Sequence, residues 1–373
     1  MTNIINNTIK NTPIVCPEEG ANVTNCKDGT VPSIQGGAGV DFIQNDGFIF
    51  GPVNSGGGDT TVINTKAIRG NITLGAGNNL VINNGMVVYI DEETRAIKAA
   101  TEEAEAPSII GGSGTDKIIN AGVIASSIIE DEGNNYVANK GTLKKIQCGV
   151  GDNTVINDGA VTNIIENTNE EGKVVKTEEG LILVGNGNNE IVSTGSVGNI
   201  QVGDGNNKIT NYGICIKIST GAGNNEVVTG VNSTTSEIAV GNGNNIIENT
   251  GTVETINMGT GDNVITNYGK ALTINIGTSK NMLVTATTST ANVINMPASG
   301  STTLVLNAKK NNLVFGYEEK AYVWDEDDLV IIYNEATTAI IKNYNPRDTE
   351  VAVYVDGDDL STIAPPKGVE IIL

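Results

Sequence analysis

The chain contains no histidine, and aromatic residues make up only 4% of its 373 positions. Without histidine it lacks the side chain that most often moves protons or holds transition metals near neutral pH. Catalysis by convergent acid–base or nucleophilic groups finds no motif here, and the scarcity of aromatics removes the platforms that a sugar-cleaving surface would need. Basic residues are also few, 22 Lys and Arg against 43 Asp and Glu, a net charge of −21. That balance opposes binding to nucleic acid or anionic membranes and makes cations the natural partners. No apolar run approaches the roughly 18 residues of a spanning helix, so no membrane insertion is expected. The opening Met1 to Lys10 lacks the basic start and hydrophobic stretch of a cleaved export signal. The four cysteines are too few for a disulfide framework in so long a chain. Cys148 and Cys215 stand where neighbouring repeats carry Val, Met or Ile, which predicts buried core thiols. Cys16 and Cys26 could close a small disulfide loop in an oxidising compartment. A metal pair has less support, because no further Cys or His is nearby.

What the chain has instead is glycine, 46 residues of it, at a fixed interval. Gly185-Asn186-Gly187-Asn188-Asn189-Glu190-Ile191 returns every 18 residues at Gly203, Gly221, Gly241 and Gly259, with one step of 20. Each copy is a glycine turn followed by an alternating apolar stretch, and a second glycine (Gly195, Gly213, Gly251, Gly269) leads into another stretch such as Val197, Ile200 and Val202. A short fixed period with one turn and two strands per copy predicts an all-β solenoid, a parallel β-roll or β-helix whose inward Ile and Val fill a narrow core. The register runs back to Gly39 and decays forward to Phe315. Roughly fourteen coils at about 4.8 Å each would give a rod on the order of 65–70 Å long.

Three regions follow: an arm or cap over 1–35, the solenoid over 36–315, and a small strand-rich cap over 316–373. Gaps of about twice the period at 81–118 and 155–191 mark insertions near 91–107 and 167–180. The first, rich in Glu and Ala, reads as a short helix standing off the coil; the second reads as a charged hairpin or loop. Each is a surface excursion or hides a degenerate coil. The first thirty residues form a disordered arm, a local cap or a strand lent to a neighbouring subunit.

Gly36-Gly37-Ala38-Gly39-Val40-Asp41-Phe42-Ile43-Gln44 and Gly111-Gly112-Ser113-Gly114-Thr115-Asp116-Lys117-Ile118-Ile119 resemble the nonapeptide of repeats-in-toxin (RTX) proteins. The resemblance implies a calcium-dependent parallel β-roll, exported by a one-step bacterial route (type I secretion) that reads an uncleaved C-terminal signal. The ending Glu370-Ile371-Ile372-Leu373 is similar to the terminus of some exported members. Two departures stand out. The family's repeated Asp is mostly Asn here, and the second half of each coil is more similar to β-helical surface passengers of bacteria.

The exchange of Asp for Asn changes the physics. A column of Asp at strand spacing repels itself unless cations sit between coils, whereas an Asn column can form a neutral amide ladder. A ladder is therefore expected at Asn189, Asn207, Asn225, Asn245 and Asn263, with little metal there. Calcium is expected, if anywhere, near the two nonapeptides, at Asp41 with Asp59 and at Asp116 with Asp131 and Glu132, or in the acidic turns at Asp356 and Asp358. The repeats fill the chain and leave no segment for a toxic effector. The expected function is that of an exported structural protein, not an enzyme, which self-assembles into a surface layer, sheath or filament as a homo-oligomer or polymer. The alternative is a monomeric adhesin that binds a glycan or cell-surface ligand through its projecting loops.

Overall fold

The computed structural model describes residues 1–89, 106–162, 164–168, 174–178, 180–286, 288–308, 310–315, 320–333, 337–345 and 352–362. It is an all-β parallel solenoid, and the chain divides into two compact units, Met1–Val202 and Gly203–Leu373.

In the first unit one wall is built from Thr2–Asn6, Ala21–Asn25, Asp41–Asn45, Thr60–Asn64, Leu80–Asn83, Lys117–Asn120, Tyr136–Asn139, Thr154–Asn157 and Glu190–Ser193. Each strand is parallel to the next and pairs like position with like. Alternation sends Val23, Ile43, Val62, Val81, Ile118, Val137, Val155 and Ile191 inward, all fully buried. Each contributes on the order of 1.5–3 kcal/mol by leaving water. The return half of the early coils is two short strands rather than one, such as Phe48–Ile49 and Val53–Asn54. Their inward residues, Ile49, Ile68 and Val87 on one side and Val53, Ile72 and Ile109 on the other, complete the core.

Residues 1–35, set apart in the sequence as an arm or cap, continue this wall: Thr2–Asn6 pairs with Ala21–Asn25 from Thr2↔Ala21 to Asn6↔Asn25. The glycine spacing there is irregular, but the alternation of Ala21, Val23 and Asn25 survives, and alternation is what the wall requires. Neither long gap hides a coil. Val81 pairs directly with Ile118 and Val155 with Ile191. The second gap carries a hairpin, Ile164–Thr168 antiparallel to Val174–Glu178; the helix expected over 91–106 lies, but for its last residue, outside the described residues.

The second unit repeats the wall in Lys208–Asn211, Glu226–Thr229, Ile246–Asn249, Val264–Asn267, Ser279–Thr285 and Gly300–Leu306. Here the return half is a single longer strand, as in Thr252–Asn257 against Lys270–Asn275. Cys148 in the first unit and Cys215 in the second are both buried, as the repeat alignment predicts. The second unit ends in antiparallel structure. Thr337–Ile341 pairs in parallel with Gly300–Leu306, and Asp328–Ile332 and Ala321–Asp325 follow as an antiparallel pair. Tyr333 is fully buried, donates to Pro297 O at 2.9 Å and meets the Phe315 ring edge-on at 4.4 Å.

The turn of each regular coil needs a left-handed residue. Gly261 has φ of 131°, and one coil later Ser279 takes the same role at 108°. A side chain in that region is strained by about 1–3 kcal/mol, partly offset by glycine's greater freedom when unfolded. Ser279→Gly is expected to stabilise the second unit by roughly 1 kcal/mol, read as a higher urea midpoint with unchanged slope.

Candidate functional site

The chemistry of this chain is concentrated in its polar columns. The Asn-Asn pair of each turn sends its second member inward and its first outward, as strand alternation dictates. In the second unit the inward residues form a ladder: Asn207 donates to Asn225, Asn225 to Asn245, Asn245 to Asn263 and Asn263 to Asn281, at 2.9 to 3.0 Å. Each Nδ2 also reaches the turn carbonyls two and four residues back, as Asn245 does at Gly243 and Gly241. Each Oδ1 accepts the backbone N–H of the coil before, as from Asn225 to Asn245. In the first unit Asn189 stands in the same arrangement, accepting from Asn153 N and Nδ2 and donating to Gly185 and Gly187. The outward members run the other way. Asn224 N donates back to Asn206, Asn244 N to Asn224 and Asp262 N to Asn244, all at 2.8 Å.

A second inward ladder lies at the far end of the first unit's wall. Asn6, Asn25, Asn45, Asn64, Asn83, Asn120, Asn139 and Asn157 are at most 1% exposed. Each Nδ2 donates to the Oδ1 of the next at 2.7 to 2.9 Å. This column was not anticipated. Its signal was present, since Asn83, Asn139 and Asn157 follow the turn residues Asn79, Asn135 and Asn153 by four, an even separation that keeps the side chain on the inner face.

The nonapeptide aspartates occupy the turn ladder. Asp41 is 1% exposed and accepts from Ala21 N at 2.7 Å and Gly37 N at 2.8 Å. Asp116, equally buried, accepts from Asn79 N and Nδ2 and from Gly112 N. The Asn turns offer a carbonyl four residues back, whereas these two turns offer an N–H; that difference selects Asp. Calcium requires six to eight oxygen ligands, and two of the roughly four lone-pair sites of the Asp41 carboxylate are taken by N–H donors. Asp59, Asp131 and Glu132 are exposed, and Asp59 receives the backbone N–H of Asn78. Alternation aims Asp59 away from Asp41, because Thr60 is the residue paired with Asp41. In the second unit Asp356 accepts from Phe315 N and pairs with Lys320 at 2.5 Å, while Asp358 is exposed in the same turn. Among the described residues no group of three or more Cys, Asp or Glu side chains is placed to hold a metal ion.

Cys16 and Cys26 are free thiols. Cys16 lies at the turn end, where burial first, then the charge and hydrogen bond of Asp41, push its pKa up to about 12. Cys26 follows the far end of Ala21–Asn25. A five-residue strand spans about 16 Å, well beyond the roughly 7 Å that a disulfide tolerates, so the expected bridge does not form.

Glu130 differs from the two buried aspartates. It is 1% exposed, and neither carboxyl oxygen meets a hydrogen-bond donor. A Cβ at Gly111 would stand 1.9 Å from Glu130 Oε2 and 3.1 Å from Asp116 Oδ2, so the two carboxyls converge in the space that glycine leaves. Burial, followed by the charge and hydrogen bond of Asp116 and the charge of Asp131, raises Glu130 to about 9. The shift favours the protonated carboxyl, for which Asp116 is the nearby acceptor. Beside it, burial and the Glu130 charge also raise Cys148.

No family model, curated protein or solved structure matches the chain.

Two outcomes are expected of the first unit. Asn139→Asp replaces a donor by an acceptor facing Asn157 and costs about 2–4 kcal/mol at pH 7, at least as much as Asn139→Ala; part returns on acidification as the carboxyl regains a donor, read from urea midpoints. Glu130 has a native pKa above its unfolded value of 4.5, so its contribution is complete below pH 4.5 and drains away as pH rises through 9. Glu130→Gln keeps the donor without the proton, and the difference in stability from wild type should swing in the variant's favour by on the order of a few kcal/mol between pH 4 and pH 9.

Proposed function

We propose that this chain is an exported bacterial structural protein, an RTX-like acidic β-solenoid that self-assembles into a surface layer, sheath or extracellular filament. The observation that carries the reading is the column order itself. Along each unit's wall like residues recur at one strand spacing, and the laddered asparagines are satisfied by the coil before or after. A face that repeats at a fixed interval matches another such face at many points at once, which favours assembly by repetition over recognition of a single small ligand. Export through a one-step route rests on the likeness of the Gly36 to Gln44 and Gly111 to Ile119 nonapeptides to the RTX repeat. Calcium binding rests on that likeness alone, since the backbone donors around Asp41 and Asp116 favour coils that hold without it.

A monomeric adhesin is the second reading. The hairpin Ile164–Thr168 and Val174–Glu178, which pairs with itself and stands outside the coil register, favours it, because such a projection offers a surface free of the repeat.

Electron microscopy of the purified chain, with calcium and with a chelator, separates the readings. Ordered sheets or filaments in both conditions are expected. Isolated particles in both would overturn assembly and favour the adhesin, and order that appears only with calcium would restore a structural role for the ion.

A further inference from the structure

Outward positions on a soluble sheet ordinarily alternate toward polar residues. In the first unit's wall they do not. The outward column Ile63, Ile82, Ile119, Ala138, Ile156 and Val192 stacks over six consecutive coils, each residue paired in register with the next. None of them is fully buried. Beside it runs the mixed column Thr61, Leu80, Lys117, Tyr136, Thr154 and Glu190, in which Lys117 and Glu190 are exposed charges and the Lys117 ammonium stands 5.1 Å from the Tyr136 ring centre. The second unit interrupts the equivalent column with Thr210, Glu248 and Thr266 and places a Lys208–Glu226 ion pair next to it. The apolar stripe therefore belongs to the first unit.

We propose that this stripe is a contact between two copies of the chain, packed sheet to sheet about a two-fold axis parallel to the strands. The proposal rests on the assembly reading and names its surface. A second copy is the occupant that the spacing selects, because its coils repeat at the same interval and can interdigitate with those of the stripe. Charge placement selects the register. An axis between the coils of Tyr136–Asn139 and Thr154–Asn157 sets Lys117 against the partner's Glu190 twice over. The same axis sets Ile119 against Val192 and the small Ala138 against the larger Ile156. The part of the stripe that this axis sets against itself measures about 14 Å by 15 Å, from the four coils of Lys117 to Glu190 and a strand of four to five residues. Two such faces bury on the order of 400 Å², well below the roughly 1,200 Å² of a stable complex. A single pair is therefore weak and concentration-dependent, and strengthens when repeated in an array.

Sedimentation velocity of the full chain across a concentration series provides the test, with circular dichroism to verify folding. Wild type is expected to associate reversibly. Ile156→Lys is expected to abolish association, and Lys117→Glu, which opposes two carboxylates, to weaken it about tenfold. The double variant Lys117→Glu, Glu190→Lys should return it to within roughly twofold of wild type. A double variant no better than the single, or Ile156→Lys that associates like wild type, would overturn this surface while leaving the assembly reading standing if microscopy still shows ordered arrays. A wild type that is monomeric throughout and forms no arrays overturns both. A monomer that instead takes up a foreign partner through Ile156 gives the stripe another occupant and likewise rejects the proposal.

Discussion

In-register parallel pairing sets like beside like, and the composition follows from that constraint. A residue placed inward meets its own kind one strand spacing above and below, so any side chain that repels its copy is costly in proportion to the number of coils. Ile and Val stack without penalty. Asn stacks with gain, because its amide both donates and accepts. Long charged or aromatic side chains do neither well in a narrow core. Their scarcity inside, and the concentration of the largest buried aromatic, Tyr333, in the antiparallel end of the second unit, are two sides of the same geometric demand.

The ladders are more than a neutral substitute for a metal-bridged aspartate column. The inward asparagines accept from the coil before them and the outward ones from the coil after, as Asn245 and Asn244 show within a single turn. The Gly-x-Gly-Asn-Asn signature thereby clamps each turn from both directions with adjacent residues. Where the turn backbone presents N–H in place of C=O, at Gly37 and Gly112, an aspartate replaces the asparagine and its second oxygen accepts that N–H. Glu130 exists only beside such an exception, in space that Gly111 leaves open.

Much of this was legible in the sequence. The glycine period set the coil, and the alternation around it set which residues face inward, including Cys148, Cys215 and the turn asparagines. What escaped had physical reasons. The first two coils lack the regular glycine spacing but keep alternation, so the region expected as an arm or cap holds the strand Thr2–Asn6 of the wall. The second asparagine column stands at strand ends, where an Asn ordinarily serves a turn and its identity does not distinguish that role from a ladder. The backbone donors around the nonapeptide aspartates reflect a peptide orientation that residue identities do not encode.

The direct pairing of Leu80 with Lys117, and of Thr154 with Glu190, has a consequence for how such a chain can change over generations. Coil advance is indifferent to how many residues intervene between the end of one wall strand and the start of the next, provided that the alternation on either side is intact. Loop length and coil number are thus separate variables. New sequence can be grafted at those two junctions without disturbing the stacking, and whole coils can be duplicated or lost without rewriting the loops. The architecture is in that sense a display scaffold, able to diversify what it presents while its inner columns stay the same.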